Sequence, residues 1–146
     1  RNAHIEESIN STHRHPSKFS DYELPKNIKA KTDLKLALYE ASLVIIALPM
    51  SALTAVLNAS SQFISKNAIV VCTTKGIENN TLFLPNNIID NCLSKALSEE
   101  ACFLSGPSFA SELMNECPSA LTIASKNDHA ARVLQEYFSS ESLRLF

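Results

Sequence analysis

Glycine is the scarce residue of this 146-residue chain, which has two of them, Gly76 and Gly106. Average usage of about 7% would place roughly ten in a chain this long. The dinucleotide turn G-x-G-x-x-G and the phosphate loop G-x-x-x-x-G-K-[ST] both need closely spaced glycines, so neither lies within these residues. Zinc-finger spacing is missing too. The four cysteines, Cys72, Cys92, Cys102 and Cys117, form no C-x-x-C pair and have no histidines at ligand intervals. Cys72 and Cys102 lie in or beside apolar runs, as small buried hydrophobes do, and unpaired thiols of a reducing compartment are expected. No basic cluster occurs: thirteen basic and fifteen acidic residues, spread along the chain, leave a net charge of −2. That removes the electrostatic case for nucleic acid. A membrane span is excluded as well. The uncharged stretch from Glu40 to Lys66 is broken by Pro49 and Ser51 and ends in Asn58, Ser60, Ser61 and Gln62, short of the roughly twenty apolar residues a spanning helix needs.

What remains is ordinary globular material, 45% hydrophobic and 19% charged, with enough chain for one sizeable core. Two apolar runs, Leu43–Leu48 and Ala68–Cys72, are β-branched, strand-length and non-alternating. Strands covered on both faces of a parallel sheet have that composition. Helical spacing surrounds them. A helix begins at Thr32-Asp33 and carries Leu34, Leu38 and Ala41. A second, capped by Ser51, carries Leu53, Val56 and Leu57, and a third runs from Leu84 or Asn86 to Leu97. Cys102–Leu104 reads as a strand, Ser108–Asn115 as a short helix, Ala120–Ala124 as a strand and Asp128–Phe138 as a helix. Residues 142–146 form a closing strand. Alternating strands and helices predict an α/β fold with a doubly wound, Rossmann-like, mostly parallel sheet. The first thirty residues differ, being a helix at His4–Asn10 and then a polar connector with two prolines. His13 and His15 in that connector read as solvated loop residues, and no metal is expected. Residues 1–146 read as one domain.

Ligands of open α/β sheets bind outside the carboxyl ends of the strands. Three segments fall there: Leu48-Pro49-Met50-Ser51, Cys72-Thr73-Thr74-Lys75-Gly76-Ile77-Glu78 and Leu104-Ser105-Gly106-Pro107-Ser108-Phe109-Ala110. Both glycines of the chain lie in these loops, where a side chain would obstruct a turn or a ligand. Lys75 joins a fixed strand end to a mobile cation, which suits a phosphate or carbonyl; the plainer reading is a solvated surface lysine. Gly106-Pro107-Ser108 would leave free amides at a helix N-terminus, a natural anion site. The plainer reading there is a helix start capped by Ser108. Nothing in the sequence brings Glu78 and Glu112 together as an acid/base pair, and no Ser-His-Asp or Cys-His arrangement is evident.

The motifs Thr74-Lys75-Gly76-Ile77-Glu78, Leu104–Glu112 and Pro118-Ser119-Ala120-Leu121-Thr122 resemble those of the bacterial NAD(P)-dependent glycerol-3-phosphate dehydrogenases. Arg1-Asn2, Leu24-Pro25, Thr32-Asp33-Leu34, Leu48-Pro49 and the ending from Ser139 to Phe146 agree with that resemblance. It implies a cytoplasmic oxidoreductase using NAD or NADP that interconverts dihydroxyacetone phosphate and sn-glycerol 3-phosphate for glycerophospholipid synthesis. It also implies that this chain is the middle of the enzyme, a partial NAD(P)-binding domain. The family's glycine turn and first strands would precede Arg1, and its helical domain, with the lysine taken as proton acceptor, would follow Phe146. No catalytic residue is then expected within the chain.

By position, the resemblance gives Lys75 contacts with both cofactor and substrate. Gly106 and Ser108 would contact the substrate, and Ala110 the cofactor. Arg1 would lie near the adenosine ribose, where an arginine accommodates a 2′-phosphate. Phe19 would be an aromatic cofactor contact, although Ser20-Asp21-Tyr22-Glu23 departs from the family's aromatic-Leu-Pro-Gly run. A chain without its first strand exposes a sheet edge that recruits another strand, so a homodimer or a swapped arrangement is expected. The 146 residues alone are expected to be inactive. A related hydroxy-acid dehydrogenase and a folded but noncatalytic remnant are the alternatives.

Overall fold

The two β-branched runs are neighbouring parallel strands in the computed structural model, which describes residues 2–146. Strand β1 (Leu43–Ile46) pairs with β2 (Ile69–Cys72), Leu43 opposite Ile69 and Ile46 opposite Cys72. Strand β3 (Cys102–Ser105) continues the sheet in parallel beside β2. The direction then reverses. Strand β4 (Ser119–Ser125) runs antiparallel to β3, and β5 (Leu143–Leu145) is parallel to β4. The strand order is therefore β1-β2-β3-β4-β5, a five-stranded, mostly parallel sheet of the expected Rossmann-like class.

Helices lie on both faces of the sheet, and β2, with Val70, Val71 and Cys72 all buried, carries no polar alternation; β1 is less fully covered, with Ile46 buried and Ile45 exposed. Helix α7 (Asp128–Phe138) crosses from β4 to β5 and buries Ala130 and Leu134 against Val71 and Cys102, with Leu43, Ile69, Leu104, Ile123 and Phe138 around them. Asn127 caps it, its side chain accepting from the Ala130 amide at 3.1 Å. Val70 and Cys72 alternate to the other face. Buried side chains on that side come from α3 (Met50–Ser60), α4 (Pro85–Cys92) and α5 (Lys95–Glu99), among them Leu53, Leu57, Ile88, Ile89 and Leu97.

Several boundaries depart from the sequence reading. The single helix expected up to Leu97 is two, because Leu93 and Ser94 are extended between α4 and α5. Leu93 and Leu97 are both buried; the apolar spacing registers that burial and is blind to the backbone break. Pro49, not Ser51, occupies the cap position of α3, its ring-fixed φ of −58° turning the chain directly into the helix. Helix α6 spans Ala110–Met114 rather than beginning at Ser108.

Internal contacts divide the chain into two compact units, Arg1–Tyr39 and Glu40–Phe146. The first holds α1 (Ala3–Thr12) and α2 (Leu34–Leu38). Its polar connector is organised by side-chain bonds to backbone. Asn10 clamps Ala30 through both its amide groups, at 2.8 and 3.0 Å. The Glu6 carboxylate accepts the Thr32 amide at 2.7 Å, and hydrogen bonds from the Thr32 side chain first and its amide second lower the Glu6 pKa. Arg14 donates to the carbonyls of Ser20 and Asp21, and His15 accepts the amides of Ser17 and Lys18.

Candidate functional site

Because β1, β2 and β3 are parallel, the segments leaving them emerge at one end of the sheet. Hydrogen bonds tie the three together. The Thr73 amide and hydroxyl both donate to the Ile46 carbonyl, and the Thr74 hydroxyl donates to the Leu48 carbonyl at 2.9 Å. Gly76, at φ 119°, lies where an added Cβ would be 3.7 Å from that of Met50. That torsion is one an L side chain rarely adopts, so this glycine serves the turn itself. Lys75 then reaches the third loop, its Nζ donating to the Gly106 carbonyl at 3.4 Å.

The same carbonyl accepts the Ser108 amide at 3.0 Å, so Lys75, Gly106 and Ser108 converge. No carboxylate among the described residues pairs with Lys75; the two ion pairs are Arg14–Glu23 and Lys95–Glu99. An exposed, uncompensated ammonium beside a half-buried hydroxyl is suited to an anion or a polarised carbonyl. Gly106 has a different structural reason from Gly76. A Cβ there would come within 2.8 Å of the Ala120 carbonyl oxygen and 2.7 Å of a Leu121 methyl, so glycine lets the end of β3 pass against β4.

The helix expected to open at Gly106-Pro107-Ser108 opens further on. Pro107 and Ser108 precede α6, and the five-residue helix begins at Ala110. Its first free amide, that of Phe109, is taken by the Glu112 carboxylate at 2.8 Å, three residues on, as in a capping box. Ala110 is exposed at the start of α6. Phe19 belongs to the first unit, where it holds a left-handed φ of 50° and meets Tyr22 edge-on, ring centroids 6.2 Å apart. Arg1 lies outside the described residues.

Glu78 is drawn into the loop. Its carboxylate accepts from the hydroxyls of Thr54 at 2.7 Å and Thr81 at 2.5 Å, and those two bonds lower its pKa. Cys72, which ends β2, is buried and its thiol pKa is raised by that burial, so no thiolate is offered to the site. All four cysteines are free. A shallow cavity of about 280 Å³ lies elsewhere, between α4, α5 and the amino end of β3, lined by Asn86, Asp90, Glu99, Phe103 and Lys126 among others.

Residues 1–131 match the family described as NAD-dependent glycerol-3-phosphate dehydrogenase N-terminus. The chain belongs to this family. A glycerol-3-phosphate dehydrogenase [NAD(P)+] of Thermoanaerobacter is 38% identical over 140 residues, covering 96% of the chain and 41% of the relative. A glycerol-3-phosphate dehydrogenase structure from Plasmodium falciparum superposes with a TM-score of 0.86 at 26% identity, over 97% of this chain and 40% of that one. The structure of the Coxiella burnetii enzyme gives a TM-score of 0.88 at 22% identity, a likeness of fold, over 99% of this chain and 43% of that one. The chain thus spans about two fifths of the length of these family members. No helix among the described residues is long and apolar enough to cross a membrane.

Two features of this dehydrogenase-family segment were missed in its sequence, one without a local signal and one with. Thr54 and Glu78 are twenty-four positions apart and meet only because α3 folds back beside the loop after β2. Glu112 is a cap rather than an acid, a role that its spacing of three from Phe109 signals.

Proposed function

We propose that this chain forms one wall of the active site of an NAD(P)-dependent glycerol-3-phosphate dehydrogenase. The reaction is the reversible reduction of dihydroxyacetone phosphate to sn-glycerol 3-phosphate. The carrying observation is the convergence of Lys75, Gly106 and Ser108 at the carboxyl ends of the parallel strands, with the Lys75 cation uncompensated among the described residues. Family membership of residues 1–131 supports the cofactor class.

The residues present fit the reacting end of a dinucleotide. A Cβ on Gly76 would fill the place beside Met50, at a van der Waals distance of 3.7 Å, and Lys75 brings its ammonium to the same loop end, toward the Gly106 carbonyl. Bound NAD(P)H supplies the hydride. Lys75 holds the substrate's carbonyl or phosphate oxygen and stabilises the charge that develops there. Ser108 and the Gly106 segment fix the glycerol phosphate, while Ala110 borders the cofactor. Phe19 and Arg1 keep, on the family resemblance alone, the cofactor contacts expected of them. The proton comes from a lysine outside these residues. We further propose a cytoplasmic homodimer that supplies phospholipid synthesis; in the 146 residues alone, the outer edge of β1 is the kind of surface that recruits a partner strand.

The test is steady-state oxidation of NADH by dihydroxyacetone phosphate in a complete dehydrogenase carrying this segment. Lys75→Ala is expected to lower kcat/KM by about a hundredfold or more, the scale of losing a preorganised charge at a reacting oxygen. The fold should survive, since Lys75 is exposed. Near-parental kinetics, or a preference for a 2-hydroxy acid across a substrate panel, would overturn the reading.

A further inference from the structure

Lys75 stands on a short bridge with a tie at each end. On one side the Thr74 hydroxyl donates to the Leu48 carbonyl, just after β1. On the other, Glu78 accepts the hydroxyl of Thr54, on α3. Both ties therefore return to the same β1–α3 segment, and only Lys75, Gly76 and Ile77 lie between them. Gly76 has no side chain to hold the bridge, and Ile77 is 57% exposed.

Glu78 also closes the loop that follows. Its amide donates to the Phe83 carbonyl and its carbonyl accepts the Leu82 amide, each at 2.9 Å. Its second carboxylate oxygen takes the Thr81 hydroxyl, whose oxygen in turn accepts the Phe83 amide at 3.2 Å. An ionised carboxylate is acceptor-only, so it can take both hydroxyl donors at once.

We infer that Glu78 is a positioning residue, which holds the Lys75 ammonium toward Gly106 by tying the far end of its bridge to Thr54 and Thr81. The inference rests on the reading of Lys75 as a substrate contact. Glu78 itself touches no reacting atom; its effect on turnover passes through Lys75.

The test is a double-mutant cycle in the complete dehydrogenase, with trypsin cleavage after Lys75 as a readout independent of turnover. Glu78→Ala is expected to lower kcat/KM for dihydroxyacetone phosphate about tenfold when Lys75 is present. In a Lys75→Ala background the further loss should be under about twofold, because the group being positioned is gone. Glu78→Gln, which can still bond both threonines, should recover to within about threefold of the parent. Trypsin should cut after Lys75 at least about threefold faster in Glu78→Ala than in Glu78→Gln, reporting local opening. Should Glu78→Ala fold poorly, Thr54→Val removes one tie and should give the same pattern at about threefold in kcat/KM. Equal losses in both backgrounds would overturn the inference. So would parental kinetics and parental cleavage in Glu78→Ala and Thr54→Val while Lys75→Ala is impaired. Normal kinetics in Lys75→Ala would instead remove the underlying reading, and this one with it.

Discussion

Replacing Gly106 with alanine should destabilise the fold by sterics alone. Its φ is not in the left-handed region, so the torsion itself accepts a side chain. The added Cβ, however, would lie 2.7 Å from a Leu121 methyl, 2.8 Å from the Ala120 carbonyl oxygen and 3.1 Å from the Leu121 Cα. A methyl can swing away, but the other two atoms belong to β4. That strand is held on both sides, Ser105 facing Thr122 on one and Leu121 facing Leu145 on the other. It cannot retreat without loosening a ladder. Overpacking of this kind costs about 1–3 kcal/mol, or a melting point lower by about 2–12 °C at about 2–4 °C per kcal/mol. Gly76→Ala is the contrasting control. There the added Cβ makes only ordinary van der Waals contact with Met50, and the φ of 119° alone is violated, for about 1–2 kcal/mol. Urea unfolding of the 146-residue chain, followed by circular dichroism, measures both as a lower midpoint at unchanged slope. Full parental stability in Gly106→Ala would refute the argument that the close approach of β3 and β4 is what demands glycine.

Leu134, fully buried against Val71 and Cys102, should lose about 2–5 kcal/mol on truncation to alanine; a loss under about 1 kcal/mol in the same urea experiment would mean that α7 is not seated on the sheet. Glu78 should make stability depend on acid. The Thr81 and Thr54 hydroxyls lower its folded pKa below the unfolded value, so its contribution is present above the unfolded pKa of about 4.3 and is lost as pH falls through the folded one. The stability gap between the parent and Glu78→Gln should accordingly narrow below that range, and a constant gap down to full protonation would contradict the hydrogen-bonded carboxylate. Residues 1–146 on their own should neither oxidise NADH with dihydroxyacetone phosphate nor bind NADH measurably by calorimetry, because they contain no glycine turn to cradle a pyrophosphate. Turnover by that polypeptide, abolished by Lys75→Ala, would prove the opposite.

The sheet's class was legible because it follows from local composition. Leu43–Ile46 and Ile69–Cys72 are apolar without alternation, as strands inside a parallel sheet are, and in β2 both faces are buried while β1 leaves Ile45 exposed. The strand-end position of Lys75 followed from the same runs, and the T-K-G-I-E and S-G-P-S-F-A motifs pointed to the family that residues 1–131 match. Helix α7 was legible to its last residue, because Asn127-Asp128 starts it and its apolar stripe is strict. Tertiary structure decided what depends on distant partners. The reversal of β4 against β3 is set by pairing across a connection with no directional signature of its own. The break at Leu93-Ser94 is hidden because Ile89, Leu93 and Leu97 are all buried at intervals of four, as on one face of a continuous helix. The two glycines look alike in the sequence, yet Gly76 answers to a torsion and Gly106 to the backbone of a strand fourteen residues later. Glu78 reads as a loop acid until α3 brings Thr54 against it. Periodicity and propensity act within a few residues, whereas van der Waals exclusion and hydrogen bonds act between whichever atoms the fold makes neighbours.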